Sequence, residues 1–304
     1  MFNHFRMDYR MAKIKVAATQ MACSWNRDDN IASAEKLVRQ AATQGAHIIL
    51  IQELFETPYF CIDQRPEHFE LAQTIEESSL IAHFAGLAKE LGVVLPLSFF
   101  ERCNNAHYNS LIVIDADGSL SEVYRKTHIP NGLAYQEKHF FIPGDTGFKV
   151  WNTKFAKVGV GICWDQWFPE TARSLALLGA EIIFFPTAIG SEPAYPDIDS
   201  QPHWIRVQQG HAAANIVPVI VSNRIGTETS KYIQDLSMTF YGSSFIADQT
   251  GALVKTADKT SECVLVHEFD LDAIAKQRKA WGLFRDRRPE MYSTILTSDG
   301  ETQF

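Results

Sequence analysis

The stretch VGVGICWDQWFPETARSLALLGAEIIFFP, residues 158–186, decides the fold of this chain. An apolar run ends at Cys163, a helical pattern begins at Pro169 and stops at Gly179, and a second buried strand follows. A strand, a crossover helix and a strand of this length predict two parallel strands in one sheet. Proline is favoured in the first turn of a helix, and glycine just after its end. The stretch therefore predicts an α/β protein with Cys163 at the carboxyl end of a strand.

Cys163 stands where ligands bind in open α/β sheets, outside the carboxyl ends of the strands. The helix that follows would favour a thiolate, which is the reactive form of cysteine. A single cysteine is nevertheless more often a small buried core residue. Cys163 alone therefore does not define a site, and the rest of the chain has to support one.

Composition restricts the class of protein. The 304 residues carry a net charge of -8 and 46% of them are hydrophobic, so the chain can bury a large core. The net charge is negative, and the densest basic cluster is the short segment RDRR at 285–288. Both features argue against a nucleic-acid partner. No apolar run reaches 18 residues and no signal peptide is visible, so we expect no membrane partner. Five scattered cysteines without C-x-x-C spacing predict reduced thiols in a cytoplasmic protein.

Strand and helix patterns alternate through the rest of the chain. The predicted helices cover 28–44, 79–91, 202–215 and 271–282. The further predicted strands cover 14–19, 47–51, 93–100, 108–115, 120–125, 217–222, 239–248, 253–256 and 263–270. We predict a four-layer α-β-β-α sandwich in which residues 13–292 form one domain. Residues 1–12 would be an extension before that domain, without a role in the chemistry.

Three reactive side chains stand at equivalent places in this pattern. Glu53, Lys126 and Cys163 each lie at or just beyond the carboxyl end of a predicted strand. A thiol needs a base to become a nucleophile, and the oxyanion that its attack creates needs a positive donor. Each residue alone would be an ordinary surface charge or core thiol. Their equivalent positions indicate one common site.

The segments around these residues resemble the three signature motifs of the nitrilase (carbon-nitrogen hydrolase) superfamily. They are QELFETPYF at 52–60, YRKTHIP at 124–130 and GVGICWDQWFPE at 159–170, and EKHFFIPGDTG at 137–147 matches as well. The resemblance extends over residues 13–292 and is specific, because several spaced motifs match together. It implies the α-β-β-α fold and the hydrolysis of carbon–nitrogen bonds. We expect neither a cofactor nor a bound metal.

The resemblance also implies a role for each residue of the site. Glu53 would be the general base, Cys163 the nucleophile, and Lys126 the oxyanion stabiliser or proton donor. Glu137 matches a second acid that positions the substrate and the lysine in many members. The backbone N–H of Trp164 would assist Lys126, and water would resolve the thioester or thiocarbamate intermediate.

The substrate depends on the pocket around the nucleophile. Carbamoyl-D-amino-acid hydrolases place an arginine pair after the cysteine to meet a substrate carboxylate, and here Gln166 and Trp167 occupy those places. The loop TAIGSEPAYPDIDS, residues 187–200, carries acids but no basic residue. Its acids are Glu192, Asp197 and Asp199. An acid among aromatic side chains favours a substrate with a cationic amine on an alkyl stem. The candidate aromatic residues are Tyr59, Phe60, Trp164 and Trp167. A solvated acidic loop would give the same pattern, and Arg206 or Arg224 would oppose this prediction if either pointed into the pocket.

Four further segments closely resemble the N-carbamoylputrescine amidohydrolase group of the superfamily. They are CWDQWFPE, PTAIGSEP, DSQPHWIRVQQGHAAAN and VSNRIGTE. This resemblance implies hydrolysis of N-carbamoylputrescine to putrescine, CO₂ and ammonia, in putrescine synthesis from agmatine. It assigns Glu192 as the acceptor of the substrate ammonium, with Tyr59 and Trp164 along the alkyl stem.

Three other functions remain open at this point. A β-ureidopropionase, N-carbamoyl amino acid hydrolase or ω-amidase would need a basic residue for the substrate carboxylate. A metal hydrolase built on His128, His203 and His211 is disfavoured, because no metal-ligand spacing occurs among them. A non-catalytic assembly protein would not need a reactive Cys163, so its alkylation by iodoacetamide separates that function from the enzyme.

The resemblance also implies self-association. Family members assemble through the helix after the nucleophile, which here carries Leu175, Leu177 and Leu178, and through their C-terminal tails. The corresponding tail here is 282–304, and its region from Trp281 to Tyr292 would form the contact. We expect a homodimer, or a larger even-numbered oligomer built from it.

Overall fold

The computed structural model describes residues 13–301, so the extension predicted at 1–12 and the last residues, 302–304, lie outside the described residues. The helices are α1 (Arg27–Thr43), α2 (Ser79–Leu91), α3 (Pro169–Leu177), α4 (Gln201–Asn215) and α5 (Leu271–Trp281). The strands are β1 (Lys13–Gln20), β2 (Ile48–Leu50), β3 (Leu95–Cys103), β4 (Ala106–Ile114), β5 (Tyr124–Arg125), β6 (Val150–Asn152), β7 (Lys157–Val160), β8 (Ile182–Pro186), β9 (Val219–Ser222), β10 (Thr227–Thr229), β11 (Ser237–Thr239), β12 (Phe245–Ala247), β13 (Leu253–Thr256) and β14 (Cys263–Asp270).

Local signals in the sequence fix the ends of two helices. The Ser78 hydroxyl accepts a hydrogen bond from the Ile81 N–H at 3.3 Å and caps the start of α2. The Asp270 carboxylate caps α5 in the same way through the Ala273 N–H at 2.8 Å. Both helices end at glycines in the left-handed conformation, which satisfies the last carbonyl groups without steric cost.

Most of the strands form two larger sheets, and β10 and β11 pair separately with each other. In the first, β1 pairs with β14 in antiparallel register along its whole length and with β2 in parallel. A bridge between Ile48 and Val94 joins this group to β3, β4 and β5. The second sheet has the order β13-β12-β9-β8-β7-β6. Its β7, β8 and β9 are parallel, with Val158 opposite Ile182, as the central stretch predicts.

The two sheets pack face to face, with helices on the outside. Val16 and Leu50 of the first sheet share a buried cluster with Val160 and Phe184 of the second. Helices α1 and α2 cover the outer face of the first sheet, and α3 and α4 cover that of the second. This arrangement confirms the predicted α-β-β-α sandwich. It also brings the carboxyl ends of β2 and β7, from different sheets, to one region.

Two predicted strands differ from the structure. In place of a continuous strand at 120–125, Leu120 makes an isolated bridge with Ile114 of β4 and Tyr124–Arg125 forms the short strand β5. Between them the Ser121 hydroxyl accepts the Val113 N–H at 2.9 Å and interrupts the regular ladder. The strand predicted at 239–248 is shorter, because Thr239 ends β11 and only Phe245–Ala247 forms β12. Between them Gly242 has a φ of 53°, and a side chain there would meet the Lys259 carbonyl oxygen at 2.6 Å.

The leucines of α3 point to different sides of that helix. Leu175 is fully buried in the core, whereas Leu177 is 46% exposed and Leu178 is 54% exposed. Trp281, at the start of the C-terminal tail, is 69% exposed. Within residues 13–301, every helix is too short or too polar to cross a membrane.

Candidate active site

The predicted nucleophile lies on a strained turn after β7. Cys163 begins a short 3-10 helix, Cys163–Trp167, and has a φ of 40°. A positive φ is uncommon for a residue with a side chain and is held in place only by the surrounding structure. The Cys163 thiol is buried, and its Sγ lies 3.9 Å from the Ala188 carbonyl oxygen.

The Asp165 carboxylate holds this turn against the segment that carries Lys126. Its Oδ2 accepts hydrogen bonds from the Ile162 N–H at 2.9 Å and the Tyr124 hydroxyl at 2.7 Å. Its Oδ1 accepts the His128 N–H at 2.9 Å. Since Tyr124 and His128 flank Lys126, one buried carboxylate fixes both segments relative to each other.

The Lys126 ammonium lies between two carboxylates, and all three side chains are fully buried. Lys126 Nζ donates to Glu53 Oε1 at 2.8 Å and to the two Glu137 oxygens at 2.7 and 2.9 Å. Burial opposes the charge of Lys126, but the Glu137 and Glu53 carboxylates together raise its pKa well above the usual value. Lys126 is therefore a permanent cation at the centre of the cluster.

The two oxygens of Glu53 have different surroundings. Oε1 accepts hydrogen bonds from Asn109 Nδ2 at 2.7 Å and from Lys126. Oε2 is buried and has no hydrogen-bond partner among residues 13–301. The next residue, Leu54, has a φ of 46°. Glu53 thus has one anchored oxygen and one oxygen that is available to take a proton.

The Cys163 thiol is neutral in the resting site. Burial, followed by the Glu53 carboxylate, raises its pKa well above the usual value, and the Lys126 ammonium only partly opposes this shift. The sequence suggests a thiolate favoured by the helix that follows. The structure differs because the sulfur is removed from water and lies near more negative than positive charge.

Cys163 and Glu137 both face a cavity of about 430 Å³. Its walls are mainly aromatic and aliphatic, and they include a single carboxylate apart from Glu137. The lining side chains that matter for recognition are Tyr135, Trp164, Trp167, Glu192, Ser200 and His203. Glu192 Oε1 accepts a hydrogen bond from the Ser200 hydroxyl at 2.8 Å. Within the described chain, no lysine or arginine lines this cavity.

Comparison with known proteins gives the family. The family model described as carbon-nitrogen hydrolase matches residues 15–279. The chain belongs to this family. Membership confirms the fold class and the enzyme class expected from the three motifs, a hydrolase of carbon–nitrogen bonds that is typically cysteine-dependent.

Individual relatives are similar along almost their whole length. N-carbamoylputrescine amidase from Arabidopsis thaliana is 58% identical over 96% of this chain and 98% of its own. Citrullinase from Francisella tularensis is 55% identical over 94% of this chain and 99% of its own. The crystal structure of a carbon-nitrogen hydrolase from Helicobacter pylori G27 superposes with a TM-score of 0.87 and 37% identity, covering 94% of this chain and 99% of that one.

The structure of this carbon-nitrogen hydrolase brings most of the predicted site residues together, but it does not place Tyr59 on the cavity wall. Glu53, Lys126 and Glu137 form one hydrogen-bonded cluster, and Glu137 and Cys163 face the same cavity as Trp164 and Glu192. Tyr59 is instead buried behind Glu137, and its hydroxyl donates to Glu137 Oε1 at 2.6 Å. It does not line the cavity, unlike the expectation that it follows the alkyl stem.

The other residues considered for substrate recognition lie outside the cavity. Asp197 and Asp199 are exposed, as is Arg206. Phe60 packs on Phe100, and Gln166 turns into the core to accept a hydrogen bond from Trp204. Arg224 is fully buried and does not point into the pocket, so neither arginine opposes a cationic ligand.

The three histidines are separated and serve other contacts. His128 lies against Asp165, His211 contacts the Gln166 carbonyl oxygen, and His203 is at the cavity wall. Among residues 13–301, no group of three or more His, Cys, Asp or Glu side chains could hold a metal ion.

Two polar residues of the site were missed by sequence reasoning. Asn109 lies within a strand and anchors Glu53, and Asp165 ties the Cys163 turn to the Lys126 segment. Asn109 lies inside the strand segment HYNSLIVI, just before its apolar half, and a polar residue that is buried in a strand needs a partner. A polar residue within a predicted strand was the available signal.

Proposed function

We propose that this protein hydrolyses N-carbamoylputrescine to putrescine, CO₂ and ammonia, through a covalent intermediate on Cys163, in putrescine synthesis from agmatine. The activities of its relatives support a ureido substrate. The observation that carries the choice of substrate is the cavity wall, which presents the Glu192 carboxylate and, within the described chain, no lysine or arginine.

Citrulline is the informative competitor, because it differs from N-carbamoylputrescine only by a carboxylate on the carbon that bears the amine. Both molecules offer the same ureido group and the same ammonium. The additional carboxylate would enter a cavity that contains Glu192 and that no lysine or arginine of the described chain lines, so neither residue type would offset its desolvation. The charges of the cavity therefore favour the decarboxylated substrate.

In the proposed mechanism, Glu53 Oε2 takes the thiol proton as the Cys163 sulfur attacks the ureido carbon. The oxyanion that forms is stabilised by Lys126 and by the backbone N–H of Trp164. Lys126 has three N–H donors, and one donor shared between the Glu137 oxygens leaves one for the substrate oxygen. Protonated Glu53 then returns its proton to the departing nitrogen.

The second half of the reaction uses the same groups. Water enters after the first product leaves, and Glu53 removes its proton as it attacks the carbonyl carbon on sulfur. As this second oxyanion collapses, the C–S bond breaks and Glu53 returns the proton to the sulfur, so Cys163 leaves as a thiol. The other product is a carbamate, which loses CO₂ to give the remaining amine or ammonia. The remaining aromatic side chains, with Trp164 and Trp167 foremost, would pack along the alkyl stem.

The decisive experiment measures kcat/KM for N-carbamoylputrescine, L-citrulline and N-carbamoyl-β-alanine. The variants are Glu192→Gln and the control Asp197→Asn, which changes an exposed acid on the same loop. Glu192→Gln should lose about 1.5 to 3 kcal/mol of transition-state binding for N-carbamoylputrescine, or roughly 10- to 150-fold in kcat/KM. Asp197→Asn should match the wild type. Turnover of citrulline at an equal or higher kcat/KM would overturn the substrate assignment.

We also propose that the protein self-associates as a homodimer or a larger even-numbered oligomer, and that it is cytoplasmic. The exposed Leu177 at the end of α3 and Leu178 just after it support the first proposal, together with the exposed Trp281, Met291 and Leu296 of the tail region. The free state of all five cysteines supports the second. Sedimentation velocity of the wild type and of Leu178→Glu tests the contact, since the variant should shift towards the monomer.

A further inference from the structure

Arg224 is a fully buried arginine that the proposed mechanism does not use. It follows β9 of the second sheet, whereas Glu53 follows β2 of the first. Its Nη2 donates to the carbonyl oxygens of Glu53 at 2.9 Å and Leu54 at 2.8 Å, and its Nη1 donates to that of Thr57 at 3.1 Å. One guanidinium therefore holds the backbone that follows the Glu53 side chain, from the Glu53 carbonyl to that of Thr57.

Glu228 extends this contact to the second carboxylate of the site. Its Oε1 accepts from Arg224 Nη1 at 2.9 Å, and its Oε2 accepts from the Tyr59 N–H at 2.5 Å. The Tyr59 hydroxyl in turn donates to Glu137 Oε1 at 2.6 Å. A continuous chain of hydrogen bonds thus runs from Arg224 through Glu228 and Tyr59 to Glu137.

We infer that the Arg224–Glu228 ion pair is a positioning device for both carboxylates that flank Lys126. It holds Leu54 in its left-handed conformation and thereby directs the free oxygen of Glu53, and it fixes Glu137 through Tyr59. The inference rests on the proposed roles of Glu53 and Cys163 but not on the choice of substrate. Arg224 acts through other residues, since it does not line the cavity.

The geometry needs a guanidinium at this position. Four acceptors surround Arg224, and each of the two terminal nitrogens of its planar guanidinium donates to two of them. A lysine ammonium is a single point of charge with three donors and cannot reach all four. Glu228→Gln is a milder change, because the amide keeps one acceptor oxygen. It still breaks one contact, since its NH₂ group must face either the Tyr59 N–H or Arg224, which are both donors.

The test compares Arg224→Lys and Glu228→Gln with Arg278→Lys as the matched control. Arg278 is a partly buried arginine that likewise donates to a backbone carbonyl, that of Ile216, away from the site. Each variant is assayed for kcat, KM and thermal midpoint. The rate at which iodoacetamide alkylates Cys163 at neutral pH is followed by mass spectrometry of the peptide that contains it.

Arg224→Lys should lower kcat about 10- to 100-fold, since small displacements of catalytic groups have effects of this size. Its KM should stay within about threefold, and alkylation of Cys163 should slow in parallel, because Glu53 must take the thiol proton in both reactions. Glu228→Gln should change the same quantities in the same direction by less. Arg278→Lys should lower only the thermal midpoint.

The inference is overturned if kcat and the alkylation rate of Arg224→Lys equal those of Arg278→Lys, or if KM rises while kcat is unchanged. Should Arg224→Lys fail to fold, Glu228→Gln decides by the same criteria. Alkylation does not involve the proposed substrate. A wrong substrate assignment would therefore leave this test intact.

Discussion

Replacing Tyr59 with Phe tests whether Tyr59 supports the catalytic groups or binds the substrate. The substitution removes a single oxygen, whose hydrogen bond to Glu137 Oε1 measures 2.6 Å. Burial, and then the Glu137 carboxylate, raise the pKa of Tyr59 well above its usual value, so the hydroxyl is a neutral donor at every working pH. Its removal therefore takes a charge-assisted hydrogen bond from Glu137 and changes no net charge.

The size of the effect follows from what remains at Glu137. Hydrogen bonds to charged groups contribute about 1.5 to 3 kcal/mol. Glu137 Oε1 still accepts from Lys126 at 2.9 Å after the substitution, so it is not left unpaired. We therefore expect the lower end of that range, about 1.5 kcal/mol, or roughly tenfold in kcat. The free energy of unfolding should fall by a similar amount, because both groups are buried.

Steady-state kinetics with N-carbamoylputrescine and urea denaturation measure the two effects. Tyr135→Phe is the matched comparison, because Tyr135 lines the cavity and its hydroxyl bonds the Gly190 backbone. Tyr59→Phe should lower kcat with KM nearly constant, whereas Tyr135→Phe should act on KM. A Tyr59→Phe variant with a raised KM and an unchanged kcat would refute this reasoning and indicate that Tyr59 binds the substrate.

Two further predictions concern the thiol and the loop beside Lys126. Because the folded-state pKa of Cys163 is raised above its ordinary value of 9.0, its thiol contributes stability that is present below pH 9 and lost at higher pH. Above pH 9, denaturant titrations should show the wild type losing about 1.4 kcal/mol per pH unit more than Cys163→Ala, and equal slopes would contradict the shift. Gly144→Ala would place a Cβ 2.1 Å from the Arg125 carbonyl oxygen, so the thermal midpoint and kcat should both fall. In Gly132→Ala, on the same loop, the new Cβ would meet no atom within 4 Å, so the thermal midpoint should stay unchanged. Because Gly132 lines the cavity, the comparison uses thermal midpoints, and equal midpoints of the two variants would exclude the steric explanation.

The elements that the sequence predicts well are those whose signals are local. The apolar run before Cys163, Pro169 at the helix start and Gly179 after its end define β7, α3 and β8 without any knowledge of the rest of the chain. Glu53 and Lys126 were found because each follows a strand directly. The motifs then joined these separate positions into one site.

What the sequence does not reveal are contacts between distant segments. Arg224 and Glu53 are far apart in the chain, and only the packing of one sheet on the other brings the guanidinium to the Glu53 carbonyl oxygen. Tyr59 is an aromatic residue next to a motif acid, a pattern that fits a cavity wall as well as a buried donor. Its side chain lies behind Glu137, because its hydroxyl needs a partner in the core.

The charges of the site explain why a neutral thiol can serve as the nucleophile. At rest, Glu53, Glu137 and Lys126 carry two negative charges and one positive charge, and protonated Cys163 adds none. In the proposed first step the proton moves to Glu53 while a negative charge appears on the substrate oxygen, so the net charge of the buried cluster stays constant. Lys126 loses an anionic partner at Glu53 as it gains one at the oxyanion. No additional net charge then has to be desolvated at the transition state, which is the condition under which fixed donors in a dry site stabilise an oxyanion most effectively.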